Sequence, residues 1–186
     1  YIFFVFYIFL LSLMVSEIVK MIKIAKKKIY LYIYLMITIL TIFLFIIAIS
    51  TIENISFRAI EIIFTIWIFD TFCYLGGKNF NGKKLMPNIS KGKTFNGLYT
   101  GIIATIIFSG IYYFKIYNNL SMLIIFTIPV IILAFAGDLI VSVLKRSVKL
   151  KDTGDIIPGH GGIVDRMDSF VLVFFFFGIY LLIFIN

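Results

Sequence analysis

The chain has 186 residues, of which 62% are hydrophobic and only 14% charged, and it carries a formal net charge of +8. A soluble domain is about half apolar and a quarter charged, so a small water-soluble core cannot absorb this excess and a bilayer must. The single cysteine, Cys73, and the single histidine, His160, exclude an intrachain disulfide, a cysteine-built metal site and a multi-histidine zinc site within this chain.

About 20 consecutive apolar residues span a bilayer as a helix. Six stretches qualify: roughly Tyr1 to Val19, Ile29 to Ile49, Ala59 to Leu75, Phe95 to Phe114, Met122 to Leu144 and Asp168 to Ile185. They are continuous and lack the period-two alternation of an outer-membrane barrel, so they predict an all-α, polytopic integral membrane protein. The first stretch is too long for the core of a signal peptide. It has no basic segment before it and no small-residue cleavage site after it, so it reads as a span. The chain begins at Tyr1 without an initiator Met, which is expected of part of a longer protein. No repeat or soluble second domain is evident. The expectation is one transmembrane domain over residues 1–186, with site loops at 76–94 and 145–167.

The charges test this layout independently. Lys20, Lys23, Lys26, Lys27 and Lys28 follow the first span. Lys78, Lys83, Lys84, Lys91 and Lys93 follow the third, and Lys145, Arg146, Lys149, Lys151 and Arg166 follow the fifth. Only Arg58 and Lys115 fall in the intervening loops. Alternate loops are therefore basic, as cytoplasmic loops are under the positive-inside rule. Any chemistry is expected on that side.

The most informative segment runs from Gly137 to Ser169 and holds Asp138, Asp152, Asp155, Asp165 and Asp168. Anchoring a helix requires Lys and Arg but not these carboxylates, although ion pairing accounts for any one of them. Asp138 lies inside an apolar helix, where a carboxylate costs a few kcal/mol unless paired, hydrated or bound to a cation. If the helix continues, Asp138, Ser142, Lys145 and Lys149 share one face. A structural Asp138–Lys145 or Asp138–Ser142 contact is the plainer alternative. Asp165 and Asp168 stand where the last helix begins, and its N-terminus favours anions. Capping explains one carboxylate; two of them with Asp138 could instead hold a divalent metal, since Mg2+ takes oxygen ligands from carboxylates and substrate phosphates together. Pro158-Gly159-His160-Gly161-Gly162 is a tight turn in which glycines allow backbone amides close to a phosphate. An ordinary Gly-rich turn is the competing reading. His160 can bond a phosphate, orient a substrate or close the loop. In the earlier loop, Ser90-Lys91-Gly92-Lys93-Thr94 sets donors and cations before a helix, a phosphate cradle or simply topology signals. It lacks P-loop glycine spacing. Asp70 sits near the inner end of the third span.

These residues resemble the phosphatidate cytidylyltransferase family, also called CDP-diacylglycerol synthases. The family signature is met at every constrained position by Ser142-Val143-Leu144-Lys145-Arg146, Lys151-Asp152 and His160-Gly161-Gly162-Ile163-Val164-Asp165-Arg166-Met167-Asp168. A second family segment is matched in part by Asp70-Thr71-Phe72-Cys73-Tyr74 and by Ser90 to Gly97. There Cys73, Lys91 and Asn96 depart from the usual Ala, Pro and Glu or Gln. Family members carry further N-terminal helices, so this chain resembles their C-terminal two-thirds. The resemblance implies transfer of the cytidylyl group of CTP to phosphatidic acid, giving CDP-diacylglycerol and pyrophosphate, with Mg2+ and a second metal ion as an option. It implies Asp138 and Asp165 as metal carboxylates, with Asp168 and Asp70 as further candidates. Lys145, Arg146, Arg166 and Lys93 are then phosphate clamps, and Lys151 and Asp152 order the loop or touch the nucleotide. Ser90, Thr94, Gly161 and Gly162 are expected on the nucleotide side. Expected partners are CTP, phosphatidic acid, the bilayer and a second copy in a homodimer, with no nucleic acid. The expected location is a bacterial inner membrane with the site facing the cytosol. Two rivals stand beside this: CTP-dependent activation of another lipid phosphate, and a small transporter. A transporter would spread polar groups through several helices to the outer face, whereas here they cluster at inner ends.

Overall fold

A computed structural model describes residues 2–51, 55–121, 123–156 and 161–184. Among them are helices α1 (Ile2–Ile24), α2 (Ile29–Thr51), α3 (Ile55–Asn79), α4 (Phe95–Tyr117), α5 (Ile128–Ser147) and α6 (Val164–Phe184). Among the described residues six helices are long and apolar enough to cross a membrane, α5 together with the π-helical turn Leu123–Thr127 that leads into it. The protein is a multi-pass membrane protein.

Several helices outrun the apolar stretches that predict them. Helix α1 continues past Val19 through Lys20 and Lys23, and α6 begins at Val164 rather than Asp168. Hydropathy marks the length that lipid covers, whereas backbone hydrogen bonds carry a helix on until a cap or turn ends it. The earlier start of α6 places Asp165 in its first turn. Conversely, α5 stops at Ser147 and Lys149 adopts a left-handed φ of 59°, so the expected shared face reaches Lys145 but not Lys149.

The chain divides into two compact units, Tyr1–Arg58 with Ala136–Asn186, and Ala59–Phe135. In the first, α2 packs against both α1 and α6. Leu11, Met14, Ile18, Leu31, Val171 and Leu181 are buried there, around an aromatic knot of Tyr7, Phe45 and Phe174. Its ring centroids lie 4.7–5.0 Å apart, a geometry that adds about 0.5–1.5 kcal/mol per pair beyond burial. Phe6, Phe9, Ile33, Met36 and Phe43 are exposed on α1 and α2, as lipid contact requires. Where lipid is as apolar as the side chains, small residues drive close helix packing. Gly137 does this for α5 and α6: a Cβ there would lie 2.4 Å from the Asp168 carbonyl oxygen.

In the second unit, a hairpin unforeseen from sequence joins α3 to α4. Strands β1 (Lys84–Met86) and β2 (Ser90–Thr94) pair antiparallel, Lys84 opposite Thr94 and Met86 opposite Ser90, with an irregularity between. Its strands are short and lysine-rich, so no apolar alternation announces them. Thr94 ends the hairpin and caps α4, its hydroxyl accepting from the Gly97 N–H at 3.1 Å. Helix α4 buries Gly97, Gly101, Thr105, Ser109 and Tyr113, one every four residues. A Cβ on Gly97 would come within 2.5 Å of the Cys73 carbonyl oxygen, and one on Gly101 within 2.3 Å of Cys73 Sγ. Cys73 thus serves as a small packing residue where α3 meets α4.

Candidate functional site

The end of α5 sets the geometry. The Leu150 N–H donates to the Lys145 carbonyl at 2.9 Å and the Lys149 N–H to the Arg146 carbonyl at 3.0 Å. This is the paired closure of a helix around a left-handed residue. Here that residue is a lysine, where glycine would carry no Cβ penalty. Arg146 reinforces the turn by donating from Nη1 to the Leu150 carbonyl at 3.0 Å. The chain is thereby turned back, and Thr153 arrives buried at the N-terminus of α6.

There it meets two carboxylates. Asp165 Oδ1 accepts from Lys145 Nζ at 2.6 Å, and both side chains are largely covered, 8% and 14% exposed. Asp165 Oδ2 accepts from the Thr153 N–H at 2.8 Å, the Gly162 N–H at 3.0 Å and the Thr153 hydroxyl at 3.0 Å. The second carboxylate is Glu17 of α1, only 1% exposed. Its Oε1 accepts from the Ile163 N–H at 2.9 Å, and its Oε2 from the Val164 N–H and the Thr153 hydroxyl, each at 3.0 Å. The first N–H groups of a helix lack intrahelical partners and attract negative charge. The sequence predicts an anion at this terminus, and the structure fills it with the protein's own Glu17 and Asp165.

The glycines of the turn act on the same cluster. Gly161 has φ +87°, and a Cβ there would also fall 2.9 Å from Asp165 Oδ2 and 3.4 Å from the Asp152 Cβ. A Cβ on Gly162 would lie 2.2 Å from Thr153 Oγ1 and 2.4 Å from Glu17 Oε2. Their missing side chains make room for carboxylates and a hydroxyl of the protein itself. Pro158, Gly159 and His160 lie outside the described residues.

Of the other predicted site residues in this unit, Asp138 and Asp168 are half-buried on α5 and α6, next to or at the Gly137–Asp168 contact. Asp168 Oδ1 accepts from the Ser169 N–H at 2.9 Å. Arg146, Lys151, Asp152 and Arg166 are exposed around the loop and the start of α6. In the other unit, Asp70 is half-buried on α3. Ser90 opens β2, Thr94 is committed to its cap, and Lys93 Nζ stands 5.8 Å from the Phe135 ring centroid, in cation–π range. Among the described residues no three of the His, Cys, Asp and Glu side chains converge as a ready-made metal cage. Asp138 and Asp168, half-buried next to or at the Gly137–Asp168 contact, are oxygen donors of the type that hard cations take.

A model of the Cytidylyltransferase family matches residues 1–184, both units and the whole Lys145–Asp165–Glu17 cluster included. The chain belongs to the Cytidylyltransferase family. It is similar to a phosphatidate cytidylyltransferase of Rickettsia typhi, 44% identical over 127 residues that cover 62% of this chain and 56% of the relative. A relative of that name from Staphylococcus haemolyticus is 39% identical over 110 residues, covering 58% of this chain and 42% of the relative. The chain thus spans about half the length of the curated relatives it matches. Within this cytidylyltransferase-family chain, sequence reasoning missed Glu17 and Thr153. A signal for Glu17 existed: it is a carboxylate inside an apolar span, the same feature that singles out Asp138. Thr153 carries no signal, because its place follows from the turn at Lys149.

Proposed function

We propose that this chain forms the catalytic part of a protein that transfers the cytidylyl group of CTP to phosphatidic acid, releasing pyrophosphate and CDP-diacylglycerol. The observation that carries this reading is the interlock of Lys145, Thr153 and Asp165. It gathers distant parts of the signature at the mouth of one helix, in a chain whose family and relatives bear that chemistry in their names. The basic loops then face the cytosol of a bacterial inner membrane, where CTP is available and phosphatidic acid stays anchored by its acyl chains.

In the proposed reaction an oxygen of the lipid phosphate attacks the α-phosphorus of CTP, and the bond to the β-phosphate oxygen breaks. A phosphate monoester is largely dianionic near neutral pH, so no strong general base is needed. The protein must bring two polyanions together and hold them in line. Lys145, paired with Asp165, presents its ammonium at the cytosolic end of α5. Exposed Arg146, Lys151 and Arg166 can fold over the triphosphate as it arrives. Asp138 and Asp168, beside the tight α5–α6 contact, would hold Mg2+, which when bound neutralises charge on the phosphates. Asp165 would join them only if Lys145 moved, because its oxygens are already engaged by Lys145, Thr153 and Gly162.

The test is transfer from radiolabelled CTP to phosphatidic acid in detergent micelles with Mg2+, using the full-length protein and its Asp138→Asn and Asp165→Asn variants. Labelled lipid from the parent, an increased Mg2+ requirement in Asp138→Asn and loss of product in Asp165→Asn are expected. A folded parent that labels no phosphatidic acid, ether-linked analogue or other lipid phosphate would defeat the reading.

A further inference from the structure

A carboxylate with 1% exposure inside a membrane helix is costly unless its oxygens are satisfied. Glu17 is satisfied by three donors, all drawn from a segment 136 or more residues away in sequence: Thr153, Ile163 and Val164. Capping α6 does not by itself call for this, since a Ser, Thr or Asp at the helix start serves a cap locally. What Glu17 adds is reach toward Asp165. The Thr153 hydroxyl stands 3.0 Å from Glu17 Oε2 and 3.0 Å from Asp165 Oδ2, and it has one proton to donate. It therefore serves one carboxylate at a time, while each keeps two backbone amides of its own.

We propose that Glu17 and Thr153 are positioning residues that hold Asp165 in place while Lys145 exchanges its carboxylate for a substrate phosphate. The inference rests on Lys145 acting as a phosphate ligand, as in the function proposed above. When Lys145 swings from Asp165 to phosphate, Asp165 loses its cation and the Thr153 proton turns to it. Glu17 gives up that bond but stays anchored by Ile163 and Val164, so neither the loop nor the helix start shifts. The glycines fit this arrangement: side chains at 154 and 162 would press on Glu17 at 3.0 Å and 2.4 Å.

The experiment uses the full-length protein in detergent, with Glu17→Gln, Thr153→Val and Thr153→Ser variants. Turnover with CTP and phosphatidic acid is measured per folded molecule, beside hydrogen–deuterium exchange of peptides spanning residues 161–167. In Glu17→Gln an amide NH2 must face a backbone N–H. Turnover is expected to fall about 10- to 100-fold in Glu17→Gln and Thr153→Val, the scale typical of groups that orient a site from behind. KM for CTP should change much less, Thr153→Ser should retain activity, and exchange should rise at Ile163 and Val164 in Glu17→Gln. Folded Glu17→Gln and Thr153→Val proteins with parental turnover would overturn the proposal. If Glu17→Gln does not fold, the Thr153→Val and Thr153→Ser pair decides alone. If the parent transfers no cytidylyl group at all, the reaction assignment fails. The anchoring then stands or falls on the exchange data, and unchanged protection in Glu17→Gln would overturn it.

Discussion

Replacing Gly162 by alanine is a direct probe of the carboxylate cluster. Gly162 does not have a left-handed φ, so alanine meets no backbone penalty and the effect is steric. The new methyl would sit 2.2 Å from Thr153 Oγ1, 2.4 Å from Glu17 Oε2 and 2.8 Å from Glu17 Cδ. Neither neighbour is the loose end of an exposed side chain: Thr153 is 6% exposed and Glu17 1%. Overpacking of this kind costs about 1–3 kcal/mol. Displacing the hydroxyl from Glu17 removes a charge-assisted hydrogen bond of about 1.5–3 kcal/mol. The sum, about 2.5–6 kcal/mol, corresponds to a fall in unfolding temperature on the order of 10 °C for a chain of this size. Gly92→Ala is the matched control, because a Cβ there meets nothing within 4 Å. Thermal unfolding of both variants in the same detergent gives the comparison. Gly162→Ala unfolding within a degree or two of Gly92→Ala would refute the packing described here.

Three further outcomes are expected. Lys145→Met and Asp165→Asn should each destabilise the protein by about 3–5 kcal/mol, because each strands a largely buried partner. Their double variant should recover at least about 1 kcal/mol of the summed loss in an unfolding cycle. Gly101→Ala should destabilise α3–α4 packing, since its methyl would lie 2.3 Å from Cys73 Sγ. Cys73→Ala should restore part of that loss but not all, because the Phe69 carbonyl remains at 3.0 Å. Lys149→Gly should stabilise the protein by about 1 kcal/mol, by removing a Cβ from a left-handed position, as read by the same unfolding assay.

The membrane spans were legible because twenty apolar residues have few other uses, and the charge pattern checked them independently. Their ends were not, since Lys20 and Lys23 are polar yet remain helical in α1. The β1–β2 hairpin escaped because its strands alternate nothing. Asp165 and Lys145 stood out in the sequence by their helix positions and by the resemblance, but their 2.6 Å pairing did not. They stand 20 positions apart, and only the left-handed turn at Lys149 and the earlier start of α6 bring them together. Glu17 is the instructive omission. A carboxylate within an apolar segment warranted the same question on α1 as on α5, and its partners lie on the far side of the sequence.

The filled N-terminus of α6 changes how phosphate charge must be met. An open helix start offers N–H groups and a partial positive charge to any anion. Here the amides of Gly162, Ile163 and Val164 are already bound to Asp165 and Glu17. A nucleotide phosphate approaching this point meets two carboxylates and the Lys145 ammonium rather than bare amides. On the function proposed above, attraction then comes from side-chain cations: Lys145 after release from Asp165, and the exposed Arg146, Lys151 and Arg166. Those rim cations are exposed, Arg146 also donating to the Leu150 carbonyl, whereas the carboxylates are held by backbone donors. The cluster therefore combines backbone-held carboxylates with exposed cations around the loop and the start of α6. On the function proposed above, a nucleotide polyphosphate would draw on these cations, and Mg2+ held by Asp138 and Asp168 would offset phosphate charge. If both bind as proposed, each lowers the electrostatic cost of binding the other, and nucleotide and Mg2+ are expected to bind cooperatively, each tightening the affinity for the other by the same factor.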